Sequence, residues 1–138
     1  MTRFVLDCSM TMAWSFADED SPRATAVMAA LDEGEAVVPS HWPLEVANVL
    51  AIAERRKRTT EAKIARFIDI LNRLPIVVDE QTSKKAFGEV LTLARTLRLS
   101  AYDAAYLELA MREACPLASL DASLNEAATG LGIVLFQG

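Results

Sequence analysis

What most constrains this chain is an alternation. Short, unbroken apolar runs ("RFVL", "EAVVP", "PIVVD", "PLASL" and "IVLF") are separated by segments of helical periodicity, and no Asn-Gly or similar hairpin signal joins any two of them. A strand wetted on one face alternates polar and apolar residues, whereas a strand apolar throughout must be covered on both faces. Helices between such strands supply the crossovers that parallel pairing requires. The expectation is an α/β fold, a three-layer sandwich with a parallel sheet between helices.

The helical segments carry their own punctuation. "SPRATAVMAALDEG" has Pro22 near its start and Gly34 as its stop, and "TEAKIARFIDILNRL" starts at Thr60. "SHWPLEVANVLAIAERRKR", "TSKKAFGEVLTLARTLRL" and "SAYDAAYLELAMREA" each read as one helix, and "DASLNEAATGLG" as a shorter one. No repeat or linker interrupts the 138 residues, so 1–138 reads as one domain with room for a substantial core.

Composition narrows the function. Net charge is −5, which argues against a broad basic surface of the kind that grips nucleic acid. No apolar run reaches the roughly 18 residues of a membrane span. Arg3 before an apolar stretch suggests a signal peptide, but Asp7 interrupts that stretch, and Asp18, Glu19 and Asp20 stand where a small-residue cleavage site belongs. Cys8 and Cys115 have neither metal-like spacing nor the number needed for a disulfide framework. A cytoplasmic location is expected.

Against this background four carboxylates stand out. Asp7 sits just past the first strand, in "RFVLDCSMTMAW", and Asp121 just past the fourth, in "LASLD". In open parallel sheets ligands bind outside the carboxyl ends of the strands, where strand order reverses. Each Asp is also well placed as a helix N-cap. Glu45 lies on the shoulder of an apolar stripe made by Trp42, Val46, Val49 and Ala53, so it either reaches water at the rim or turns inward, where an unpaired charge is costly. Asp103 falls within the apolar arc of Tyr102, Tyr106, Leu107, Leu109 and Ala110, while Glu108 and Arg112 mark the wet face. Ser100 and Asp103 also form an S-x-x-D capping pattern. Converging carboxylates repel unless a cation neutralises them. An all-oxygen set with no clustered His or Cys suits Mg²⁺ or Mn²⁺.

"FVLDCS", "PLEVANVL", "SAYDAAYLELA" and "LASLD" together resemble the PIN-domain ribonucleases, and specifically the VapC toxins of bacterial toxin–antitoxin pairs. The likeness runs in order along essentially the whole chain. It implies a five-stranded parallel sheet of order 3-2-1-4-5, with strands 1 and 4 side by side at the switch point. It implies that Asp7 and Asp103 carry the metal and that Glu45 and Asp121 complete the acidic pocket. Ser9 falls on the small hydroxyl residue two past the first Asp, and Ser119 stands where members more often have Thr. The implied activity is Mg²⁺-dependent cleavage of RNA, tRNA or ribosomal RNA, by metal-activated water.

The only histidine is His41, which excludes a two-histidine, metal-free ribonuclease mechanism and is itself read as a helix-start residue. The RNA backbone would need cations outside the acids, and "ERRKRTTEAKIAR" offers Arg55, Arg56 and Arg58 among others, unless that cluster is simply a solvated helix end. Family resemblance points further to a VapB-like antitoxin, for which Trp14, Phe16 and Trp42 would flank a groove, and the broad apolar arc of the Tyr102–Met111 helix suggests a homodimer surface. Two rivals remain. One is a receiver-like signalling domain phosphorylated on Asp79; the other is a non-catalytic PIN-like binding module.

Overall fold

The computed structural model describes residues 2–16 and 21–138. Asp18, Glu19 and Asp20, the acids set against a cleavage site, lie outside the described residues. Strand β1 (Thr2–Leu6) is the centre of the molecule: Phe4, Val5 and Leu6 are wholly inaccessible to solvent. It pairs in parallel with β2 (Gly34–Val38) on one side and with β4 (Leu117–Ala118) on the other, and β2 pairs in parallel with β3 (Ile76–Val78). The order is β3-β2-β1-β4. From β1 the chain winds outward through β2 and β3 and then returns to the opposite side of β1, so strand order reverses between β1 and β4.

The connections are helical. Between β1 and β2 lie α1 (Cys8–Ala13) and α2 (Pro22–Ala30), and between β2 and β3 lie α3 (Trp42–Arg55) and α4 (Glu61–Arg73). After β3 come α5 (Thr82–Lys85), a π-helical turn (Ala86–Val90), α6 (Leu91–Leu97) and α7 (Ala101–Arg112). Helix α8 (Ala122–Gly130) follows β4. Side-chain caps set several starts: Ser21, Thr60 and Ser100 each accept from the backbone N–H three residues on. Helix α7 is the most deeply set, with Ala104 through Ala110 buried. Each Leu or Phe side chain so buried contributes about 1.5–3 kcal/mol. Among the described residues no helix is long and apolar enough to cross a membrane.

Four expectations change. The fifth strand, "IVLF", is reduced to a single parallel bridge between Leu117 and Leu135, with Leu117 N–H donating to Val134 and Phe136 N–H to Leu117. Its partner β4 is only two residues long, and Phe136 instead anchors the segment by stacking on Phe4 at 4.3 Å. The run from Thr82 is not one regular helix, because the π-turn around Gly88 interrupts it. Glu108 is not on a wet face: it is 5% exposed and paired with Arg112, which reaches across to Asp79 beyond β3. Tyr102, placed in the apolar arc, is 64% exposed.

Candidate active site

The carboxyl ends of β1 and β4 meet at a hydrogen-bonded knot. Asp7 is the N-cap of α1, and its Oδ1 accepts from the N–H of Met10. Ser119 Oγ donates to Asp7 Oδ2 at 2.5 Å, and Ser9 Oγ lies within 2.8 and 2.9 Å of its two oxygens. Each serine also accepts from the turn after β4: Leu120 N–H donates to Ser9 and Asp121 N–H to Ser119. Two hydroxyls therefore tie the end of β4 to the carboxylate at the end of β1. The cap reading of Asp7 and the site reading describe one arrangement. Asp121 repeats it, capping α8 by accepting from Leu124 N–H.

Asp7 is 4% exposed, and burial pushes its carboxyl up to about 6, helped by repulsion from Asp121 and opposed by the hydroxyl and N–H donors. Asp103, half-buried in the first turn of α7, is also raised: burial first, then repulsion from Asp121 and Glu45. Glu45 goes the other way. Burial alone would raise it, but His41 and Tyr106 together hold it below the usual range. Tyr106 O–H donates to Glu45 Oε1 at 2.7 Å, and His41 Nε2 lies 2.9 Å from the same oxygen. The Tyr106 hydroxyl, buried against these anions, is held strongly protonated.

Asp121 thus acts electrostatically on both Asp7 and Asp103, and Glu45 acts on Asp103. Among the described residues, no three His, Cys, Asp or Glu side chains close into a ready-made cage for a metal. Mg²⁺ does not need one: it keeps much of its water and is held through one or two carboxylates together with substrate phosphates. Mutually repelling oxygen donors, two of them raised, fit a hard divalent cation.

Several side chains at the site were not singled out from sequence. Tyr106 stands three residues after Asp103, a spacing that shares a helix face and in retrospect was the available signal. Arg23 and Asn125 both donate to the Ser119 carbonyl, steadying the β4 turn, and nothing in their local sequence marks them. The basic cluster lies apart. Arg55 ends α3 and Arg56 caps it, some ten residues from Glu45, or about 15 Å along the axis. Arg58 sits over the Phe16 ring at 4.1 Å.

The three aromatics expected to flank a groove are placed differently. Phe16 is buried, and Trp14 donates its Nε1–H to Ala24 O. Trp42 lines an apolar groove of 380 Å³ between α3 and α4 with Val46, Leu50, Ile68 and Leu71. Asp79 is no open phosphoacceptor. Arg112 grips both its oxygens, at 3.1 and 2.8 Å, and holds it below the usual carboxylate range, which removes the residue the receiver-like reading required.

Comparison with known proteins agrees with the fold. The PIN domain family model matches residues 4–130. No curated protein sequence matches. Among solved structures, PAE2754 from Pyrobaculum aerophilum superposes with a TM-score of 0.67 at 17% identity, over 91% of this chain and 84% of that one. VapBC2 from Rickettsia felis, bound to a DNA fragment from their promoter, gives 0.68 at 12% identity over 98% of both chains. FitAcB from Neisseria gonorrhoeae gives 0.62 at 15% identity over 96% of both. At these identities the structures speak for the fold, and the family model for membership: the chain belongs to the PIN-domain family.

Proposed function

We propose that this protein, acting as a single domain, is a Mg²⁺- or Mn²⁺-dependent endoribonuclease of the VapC kind, the toxin of a toxin–antitoxin pair, cutting tRNA or ribosomal RNA in the cytoplasm. The observation that carries the reading is the buried Asp7, clamped by Ser9 and Ser119 at the switch point while Asp121 presses on it electrostatically. Perturbed carboxylates at a strand-end switch point are the arrangement that a cation site uses.

Asp7 and Asp103 would hold the cation, with Glu45 and Asp121 completing the negative pocket. When bound, Mg²⁺ or Mn²⁺ supplies the positive charge that activates water and offsets charge on the phosphodiester. The chain's own part is orientation. Ser9 and Ser119 fix both oxygens of Asp7, and Tyr106 and His41 fix Glu45. Arg55, Arg56 and Arg58 are the proposed cations for the RNA backbone. The apolar α3–α4 groove suits an amphipathic helix from a VapB-like antitoxin. Self-association would be sought where Phe87 and Met111 are exposed, because the apolar arc of α7 is consumed inside the protomer.

Purified protein should cleave RNA with Mg²⁺ or Mn²⁺, stop in EDTA, and lose cleavage in Asp7→Asn with the fold intact. Undiminished cleavage by Asp7→Asn, or in EDTA, would refute the mechanism. If the protein instead binds RNA without cutting it under every divalent cation, it is a binding module.

A further inference from the structure

Tyr102 is an anomaly on its helix. Its successors from Ala104 to Ala110 are buried, yet its own large ring is 64% exposed, immediately before Asp103. The ring is not isolated. Its centroid lies 5.6 Å from that of His41 at an interplanar angle of 50°, and His41 in turn stands edge-on to Tyr106 at 5.2 Å. Tyr106 and His41 both reach Glu45 Oε1. An aromatic row thus leads from solvent, through Tyr102 and His41, to the carboxylates on the Glu45 and Asp103 side of the pocket.

We propose that Tyr102, backed by His41, is a stacking ledge for a base of single-stranded RNA beside the nucleotide whose phosphate enters the acidic pocket. The inference rests on the ribonuclease reading above. Single-stranded RNA is recognised by splaying bases onto aromatic side chains, and such stacking tolerates any sequence because every base has a π face. A neutral base is also the part of RNA that can approach four carboxylates without added repulsion. A second copy of this chain is the poorer occupant, since a two-fold contact through Tyr102 would turn two acidic pockets toward each other.

The test uses a short mixed-sequence RNA carrying a fluorescent adenine analogue whose emission is quenched by stacking, with Mg²⁺ for turnover and Ca²⁺ for binding. Tyr102→Ala is expected to raise KM about ten-fold with kcat nearly kept, and to abolish the quench. It should leave the salt dependence of binding unchanged, because a stacked ring neutralises no phosphate. Tyr102→Phe should restore both KM and quench, and Tyr102→Leu should restore neither. The ledge is refuted if Tyr102→Ala matches wild type, if Leu rescues as well as Phe, or if the substitution changes only the oligomeric state. Failure of wild type itself to cut or bind RNA would instead overturn the ribonuclease reading, and the ledge with it.

Discussion

Asp7 shows what one residue holds together. It ends a strand, caps a helix, accepts from two serines and is repelled by Asp121, all at 4% exposure. Its carboxyl ordinarily titrates near 3.8 and is pushed up to about 6 here, so between those values the folded protein holds a proton that the unfolded chain has released. Metal-free stability should therefore fall as pH rises through that window and level off above it, by about 3 kcal/mol in all from this group. Asp7→Asn is accordingly expected to be more stable than wild type at pH 7 in EDTA, less about 1 kcal/mol for an amide that cannot accept every donor. That advantage should vanish near pH 4, which urea titrations at the two pH values would reveal. A less stable Asp7→Asn at pH 7 would mean the charge is already compensated. Ser119→Ala follows from the same knot. Its hydroxyl lowers the Asp7 carboxyl, so its loss should move the onset of Mg²⁺-induced thermal stabilisation to higher pH and cut cleavage at pH 6 about ten-fold. An unmoved onset would show that Ser119 only packs.

Among the elements, legibility followed length and environment. The strands β1 and β2 were readable because continuous apolar runs have few homes other than a sheet covered on both faces, and β3 was readable by the same apolar run although it lies at the sheet edge with Val77 and Val78 exposed. The fifth was not, because "IVLF" has a strand's composition but only a two-residue partner to pair with. The broken helix after β3 was hidden because a π-turn leaves no periodicity signal of its own. Four acids could be singled out since each sits at an element boundary or on a stripe. Ser9 and Ser119, which orient Asp7, were placed by the family resemblance, whereas Tyr106, which orients Glu45, passes for core, and Arg23 and Asn125 act only through a backbone carbonyl. Glu108 misled for a related reason: a charge in a helix repeat looks solvated until its partner, Arg112, is placed. Gly34 shows the sheet's tolerance. A Cβ there would lie 2.5 Å from the Thr2 carbonyl oxygen and 3.0 Å from that of Ala30, both main-chain atoms that cannot swing aside. Gly34→Ala should push β1 and β2 apart at the first register pair, Thr2 with Gly34, and cost about 1–3 kcal/mol. Calorimetry with no loss of melting temperature would contradict this.

Across the whole molecule, the net charge is −5, and Arg55 and Arg56 stand at the opposite end of α3 from Glu45. A substrate reaching both must be long enough to span about 15 Å, which suits a polynucleotide strand better than a mononucleotide. The arginines are not equivalent. Arg58 covers the Phe16 ring, so Arg58→Ala should lower stability as well as any RNA affinity, and it belongs in a separate variant. Arg55→Ala with Arg56→Ala should leave the melting temperature within error, since both side chains are exposed. If they track the backbone, binding of single-stranded RNA in Ca²⁺ should weaken, and the slope of log K against log salt should shrink by about 0.7 for each phosphate no longer neutralised. Asp7→Asn should show the opposite sense, keeping the wild-type slope while losing turnover. An unchanged slope in the double arginine variant would return this cluster to a solvated helix end and leave the RNA to be held by the pocket and its aromatic border.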